Sequence, residues 1–252
     1  MNTHANQPVV SVIMPAYNCE KYISTAIESV LAQQVPLELI IINDCSSDGT
    51  EQAIHQYTSD NSNIRYYKNE TNLGASGTRN RAVKLALGQY IAFLDSDDWW
   101  EPDKLKKQLA LIEKRGCVLC STARSLIRPD GTPMNKTIPV IEKITYRELL
   151  KHNCINCSSV LLKRDVALEF PMEHEDSHED YITWLNILQK HGEACGINEP
   201  LLNYRLSASG KSGSKLKSAK MTFKVYRYMG FGLFKSILCF CSYALHGVRK
   251  YL

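Results

Sequence analysis

Gly88-Gln-Tyr-Ile-Ala-Phe-Leu-Asp-Ser-Asp-Asp98 decides the fold. An apolar run over residues 90–94 stops in three carboxylates, Asp95, Asp97 and Asp98, just before Trp99-Trp100. A short apolar run bounded by Gly and by acid reads as a buried strand. Outward from it, residues 9–14, 37–42 and 64–67 repeat the strand pattern. Between them lie helical segments: residues 20–34, with Ile23, Ala26, Ile27, Val30 and Leu31 in register; a helix opened by Asp48-Gly-Thr that runs to about Tyr57; and residues 76–87, stopped by Gly88. Pro102 and Asp103 open a further helix through Lys114. Such alternation predicts an α/β fold, a Rossmann-like, mostly parallel sheet with helices on both faces. Ligands on such sheets bind at the carboxyl ends of the strands, so the loops after Met14, Ile42 and Leu94 are the ones to read.

The third of these loops carries the cluster. Three carboxylates within four positions repel one another. They are tolerable as a solvated helix start and are stabilised if they hold a hard cation through oxygen ligands. The second half of the chain is mixed. Pro129-Asp-Gly-Thr is a turn between extended segments, residues 145–152 a short helix, 158–162 a strand, 181–189 a helix behind an acid cluster, and 207–214 a Ser/Gly-rich mobile loop.

Composition and charge set bounds. The chain has 252 residues, 44% hydrophobic and 22% charged, with mean hydropathy −0.25. These values exclude a disordered, collagen-like or small disulfide-scaffold protein. No apolar run is long enough to span a bilayer; residues 236–245 come nearest. Residues 1–8 lack a basic n-region, so the expected location is cytoplasmic. From Arg205 onward there are ten Lys or Arg and no Asp or Glu, leaving 20 basic against 26 acidic residues before it. An acidic body with a basic tail suggests a polyanionic surface as partner.

On a wheel of about 3.6 residues per turn, Lys224, Arg227, Lys235, His246, Arg249 and Lys250 fall within about 140°. Phe223, Phe234, Ile237, Cys241, Ala244, Leu245 and Val248 take another face, and Gly230 and Gly232 divide the tail into two helices. Docking onto the body and peripheral binding at the inner membrane surface both fit this pattern. Of nine cysteines, Cys117–Cys120 and Cys154–Cys157 have CxxC spacing. Together they could form a four-thiolate zinc site, although Val118-Leu119 reads as buried strand with cysteine as a small hydrophobe. A disulfide framework is not expected.

Several segments, taken as an ordered set, resemble family 2 glycosyltransferases, the inverting, nucleotide-sugar-dependent enzymes of the GT-A fold. They are Val10-Ser-Val-Ile-Met-Pro-Ala-Tyr-Asn18, Asn43-Asp-Cys-Ser-Ser-Asp-Gly-Thr50, Asn72-Leu-Gly-Ala-Ser-Gly-Thr-Arg-Asn80, the opening segment and His178-Glu-Asp180. Asn198-Glu-Pro-Leu-Leu-Asn-Tyr-Arg205 with the basic tail is similar to the branch that builds teichuronic acids, capsules and O-antigens.

The resemblance implies a donor-binding half over 9–100, an acceptor-side half over 101–205 and an appended tail over 206–252. By position, Pro15, Ala16 and Tyr17 would line the base pocket. Asp44 would bond the base edge, Arg79 would orient the donor, and Gly74 to Gly77 would let the loop approach it. Asp97 would touch the ribose and Asp98 would ligate Mn²⁺ or Mg²⁺, with Asp95 mattering less. Asp180 would be the base that deprotonates the acceptor hydroxyl, with Glu179 in support; by spacing alone, that acid cluster is a solvated loop and helix start.

A nucleotide-sugar donor, probed first as a UDP-sugar, and a glycan or lipid-linked acceptor are thus the implied partners. Asn43 and Thr78 depart from the family pattern. Leu206 and Ser207 follow Arg205 where a His is frequent, which leaves a contact of Arg205 to the diphosphate open. A nucleotidyltransferase, or a nucleic-acid-binding protein using the tail, are the rival readings. The acidic body, the tail's lack of a binding motif and the absence of Walker A or GxGxxG weigh against them, and nucleic acid is not an expected partner.

Overall fold

The computed structural model describes residues 7–206 and 215–251. The loop expected at 207–214, and the side chains of Val248, Arg249 and Lys250 on the helical wheel, lie outside the described residues. The first half follows the expected alternation: β1 (Val10–Ala16), α1 (Ile23–Leu31), β2 (Leu37–Asn43), α2 (Thr50–Thr58), β3 (Ile64–Lys68), α3 (Gly74–Leu85), β4 (Tyr90–Phe93), β5 (Trp99–Trp100) and α4 (Lys104–Arg115). β1 pairs in parallel with β2 and β4, and β2 with β3.

Residue parity along the strands divides the core. Val10, Val12 and Met14 pack with Ile23 and Ile27 of α1 and Leu105 and Ile112 of α4. Ile13, Ile40 and Phe93 face the other way, toward Ala82 and Val83 of α3. These side chains are almost fully buried, each contributing roughly 1.5–3 kcal/mol of transfer free energy.

The second half continues the same sheet with a change of direction. It comprises β6 (Leu119–Ile127), β7 (Pro133–Ile138), β8 (Lys143–Thr145), α5 (Tyr146–Lys151), a 3₁₀ turn (Cys157–Ser159), β9 (Leu161–Lys163), α6 (Arg164–Glu169), α7 (Glu179–His191) and β10 (Glu193–Arg205). Among the described residues the sheet has ten strands, in the order β3-β2-β1-β4-β9-β6-β10-β5, with β7 on β6 and β8 on β10. β9 runs antiparallel to both β4 and β6, and β10 runs parallel to β6. The fold is therefore the mixed α/β sheet expected, with its parallel part confined mainly to the first half.

Four elements were not expected, the three-residue β8 among them. β10 is masked in the sequence because Gly196, Asn198 and Pro200 interrupt its pattern, and its register with β6 shifts on both sides of Pro200. β5 is two residues long and pairs with β10, and α6 is a six-residue helix. The segment expected as a strand at 158–162 begins as the 3₁₀ turn and becomes β9 only at Leu161.

The cysteines take the buried reading: Cys117 is joined to Cys195 in a disulfide, while Cys120, Cys154 and Cys157 are buried thiols. Of the two readings left open for the tail, the first of its two helices takes docking onto the body. α8 (Lys215–Tyr228) and α9 (Leu233–Tyr251) are split near Gly230, as expected, whose φ of +76° suits a residue without Cβ. Val225 of α8 joins the main core cluster. The Tyr226 hydroxyl donates to the Leu150 carbonyl at 3.1 Å, and its ring packs edge-on to Tyr181 of α7. Tyr226→Ala should cost about 3–5 kcal/mol of unfolding free energy in urea titration. A cost below about 1 kcal/mol would return α8 to the status of an appendage.

Candidate active site

The loops after β1, β2 and β4 meet at one edge of the sheet, as parallel topology requires. The β2 loop is tied inward at Asp44: its N–H donates to the Ala16 carbonyl at 2.8 Å, and its Oδ1 accepts from Asn69 Nδ2 at 2.6 Å and from the Leu73 amide at 2.8 Å. One carboxylate oxygen is thus committed to joining this loop to the start of α3. Tyr17 stands exposed at the same edge and Pro15 is half-buried, both open to a flat ligand. Ala16 is fully buried. Its methyl group cannot line a pocket, and its contribution is the backbone bond to Asp44. At Gly74, φ is +72° and a Cβ would meet the Glu175 carboxylate at 2.9 Å. The close approach that this glycine permits is to the acidic segment before α7.

The carboxylate cluster after β4 separates into three environments. Asp95 pairs with Arg79, and its amide donates to Ser158 Oγ at 3.1 Å. Asp97 is half-buried. Burial and then the neighbouring Asp95 push its carboxyl up to about 6. Asp98 is 1% exposed, and its Oδ1 accepts the Arg205 amide N–H at 2.9 Å. Burial, Asp97 and Asp95 push it well above the usual carboxylate range. At Asp98, the residue expected to ligate the metal, Oδ2 is buried with no hydrogen-bond partner among the described residues, and Asp97 is the more exposed of the two. All donors here are hard oxygens, and Arg79 offsets only one of the three charges, so the set fits a divalent cation. Among the described residues no group of three His, Cys, Asp or Glu is placed to hold a metal ion by itself.

Arg205 is also settled. Its guanidinium lies over the rings of Tyr22 and Trp99 at 4.6 and 5.1 Å. Nε donates to the Asp97 carbonyl at 3.0 Å and Nη1 to the Pro129 carbonyl at 3.2 Å. It braces the aspartate loop from behind.

Arg79 is 6% exposed. One nitrogen pairs with Asp95 and the other donates to Glu179 Oε1 at 3.3 Å. Burial opposes its charge, but Asp95 and Glu179 hold it well above its ordinary value. Arg79, expected to orient the donor, joins the aspartate loop to the first turn of α7. Glu179 is buried against it. Asp180, next in the helix, is half-exposed, with its Oδ1 accepting the Tyr181 amide at 2.8 Å. Burial and the Glu179 charge raise the Asp180 carboxyl to about 7.

Sequence reasoning did not single out Glu175, Ser158 or Asn69. Glu175 stood within the acid cluster already noted, whereas no local signal marks Ser158 or Asn69 as partners of the aspartate loops.

The arrangement places a near-neutral carboxylate at a helix start that Glu179 and Arg79 join to the aspartate loop. Residues 11–169 match the family model of Glycosyl transferase family 2, and this chain belongs to that family. It is 42% identical over 248 residues to TuaG of Bacillus subtilis (strain 168), which bears the name of a teichuronic acid biosynthesis glycosyltransferase, covering 98% of each chain. It is 36% identical over 248 residues to WfgD of Escherichia coli, a UDP-Glc:alpha-D-GlcNAc-diphosphoundecaprenol beta-1,3-glucosyltransferase, covering 96% of this chain and 95% of that one. Among solved structures, the mannosyltransferase PcManGT from Pyrobaculum calidifontis, in complex with GDP-Man and Mn²⁺, superposes with a TM-score of 0.70 at 17% identity. The superposition covers 90% of this chain and 66% of that chain. The likeness establishes the GT-A fold expected from the motifs.

With the Asp180 carboxyl raised to about 7, only its ionised form can accept a proton. Turnover should therefore fall about tenfold per unit as pH drops below about 7. The Asp180→Asn variant should show a low rate without that limb. A wild-type rate flat from pH 5 to 8 would contradict the assignment.

Proposed function

We propose that the chain transfers a sugar from a UDP-sugar to a hydroxyl of a lipid-linked glycan, with inversion, in assembly of a bacterial cell-surface polysaccharide. The observation that carries this reading is the Asp180 carboxylate, raised toward neutrality and fixed at the start of α7 beside the Arg79 bridge. WfgD, similar over nearly the whole chain, takes a UDP-sugar to a diphosphoundecaprenol-linked sugar by its name.

In this reading Tyr17 stacks on the base, Asp44 faces the base edge, and Asp180 removes the proton of the attacking hydroxyl. A single displacement at the sugar C1 then forms the glycosidic bond, breaks the C1–O bond to the diphosphate, and inverts the anomeric centre. Asp97, with Asp95 beside it, would hold Mn²⁺ or Mg²⁺. When bound, the ion supplies positive charge against the anionic leaving group. Asp98 and Arg205 stiffen the loop that carries Asp97.

Asp180→Asn should retain UDP-sugar binding by calorimetry while turnover falls roughly 10²- to 10⁴-fold. Asp97→Asn should lose the Mn²⁺-dependent part of UDP binding. Turnover preserved in Asp180→Asn would sink the base assignment. Mn²⁺-dependent binding preserved in Asp97→Asn would sink the metal assignment.

A membrane location follows from α9. No helix among the described residues is long and apolar enough to cross a membrane. Yet Leu233, Phe234, Ile237, Leu238 and Leu245 are exposed along α9, a helix whose sequence carries Lys235, Arg249 and Lys250 and no acid. Such a face suits the interface of an anionic bilayer, where each basic residue near the surface contributes about 1 kcal/mol. The protein should co-sediment with phosphatidylglycerol vesicles and not with phosphatidylcholine vesicles, and Phe234→Glu with Leu238→Glu should abolish this. Equal binding of both proteins to both vesicles would contradict it.

A further inference from the structure

The chain between α6 and α7 has no regular structure, yet almost every residue leading to Asp180 is gripped from outside. On the α3 side, Asn80 exchanges two hydrogen bonds with the Met172 backbone, at 2.7 and 2.9 Å. Glu175 accepts from the Ser76 amide at 2.9 Å and from its hydroxyl. On the α8 side, the His174 ring stacks on Tyr228 with centroids 3.8 Å apart and planes within 8°. The Tyr228 hydroxyl donates to both Asp176 oxygens at 3.0 Å, and Lys224 pairs with the same carboxylate. Ser177, fully buried, donates to the Met221 carbonyl at 3.0 Å. The His178 ring lies 3.4 Å from the Ser218 carbonyl. Four residues of the segment, 174, 176, 177 and 178, are thus held by one helix.

We propose that α8 positions the base: Lys224 and Tyr228, acting through Asp176 and His174, hold the segment that fixes where α7 begins and hence where the Asp180 carboxylate sits. This rests on the reading of Asp180 as the base. The helix also packs directly on α7 through Tyr226 and Tyr181, but the contacts of Lys224 and Tyr228 described here go to the segment. Its pairs are solvent-exposed, and exposed ion pairs stabilise a fold little. A reacting group displaced by about 1 Å, by contrast, can lose about 10² in rate. The latch therefore affects rate far more than stability. Because Glu175 grips the start of α3 while Asp176 is held by α8, the same segment also ties the donor-side loop to the C-terminal helices.

The test compares the full chain with Lys224→Met/Tyr228→Leu, with Lys224→Arg, and with Lys220→Met as a control on the exposed side of α8. With a UDP-sugar donor, the double variant should lose at least about tenfold in kcat. Its donor KM and melting temperature should be unchanged, while Lys224→Arg and Lys220→Met stay near wild type. Amide hydrogen exchange over 174–181 should speed up in the double variant alone. Asp176→Asn, which leaves α8 untouched, should reproduce both effects if the double variant folds poorly.

Wild-type kcat with wild-type exchange in the variants would overturn the proposal. So would a raised donor KM with kcat preserved. Absence of any sugar transfer by the wild-type chain would overturn the base reading instead. Exchange over 174–181 then still decides the latch: acceleration supports it and wild-type exchange overturns it.

Discussion

One buried guanidinium holds the two halves of the cleft together. Arg79 sits between Asp95, on the loop that follows β4, and Glu179, in the first turn of α7. Burying an arginine is costly unless its charge is met, and removing one partner of such a set typically costs about 3–5 kcal/mol. The sheet brings β4 to the cleft edge and the core under α7 brings the helix start near it, but neither contact sets the distance between the aspartate loop and the base. The bridge does. It also explains the division of labour among five carboxylates. Asp95 and Glu179 are paired with Arg79. Asp98 is buried with its proton favoured. Asp97 and Asp180, the two that face the cleft, are both raised toward neutrality, where proton or ligand exchange is possible.

Much of this was legible in the sequence, and the reasons are physical. Buried parallel strands are continuous apolar runs, so β1, β2 and β4 stand out, and the acids that end them announce the loops. The motif set around those loops identified the family and its fold. The elements that escaped are those whose pattern is set by partners distant in sequence. β10 is broken by Gly196 and Pro200 yet is held by β6 along its length. β5 exists because Trp99 and Trp100 pair with it. Which of two adjacent aspartates faces solvent was equally illegible. Strand alternation does not extend into a loop, and the inward turn of Asp98 is decided by the Arg205 amide, 107 residues away.

Charge asymmetry pointed to the C-terminal segment and left its attachment open. The wheel cannot say which apolar stripe meets the body. In the structure α8 spends its stripe on the core through Val225 and Tyr226, while α9 leaves Phe234, Ile237, Leu238 and Leu245 uncovered. One helix completes the fold and the next presents a surface. The CxxC spacing was silent on pairing, because Cys117 finds its partner, Cys195, on β10.

A double-mutant cycle between Asp95→Asn and Glu179→Gln, read by urea unfolding, tests the bridge most directly. The two carboxylates lie on opposite sides of Arg79 and couple only if they share its charge. The account predicts non-additivity above about 1 kcal/mol, since the double variant strands a buried cation. Effects that add within about 0.5 kcal/mol would contradict it.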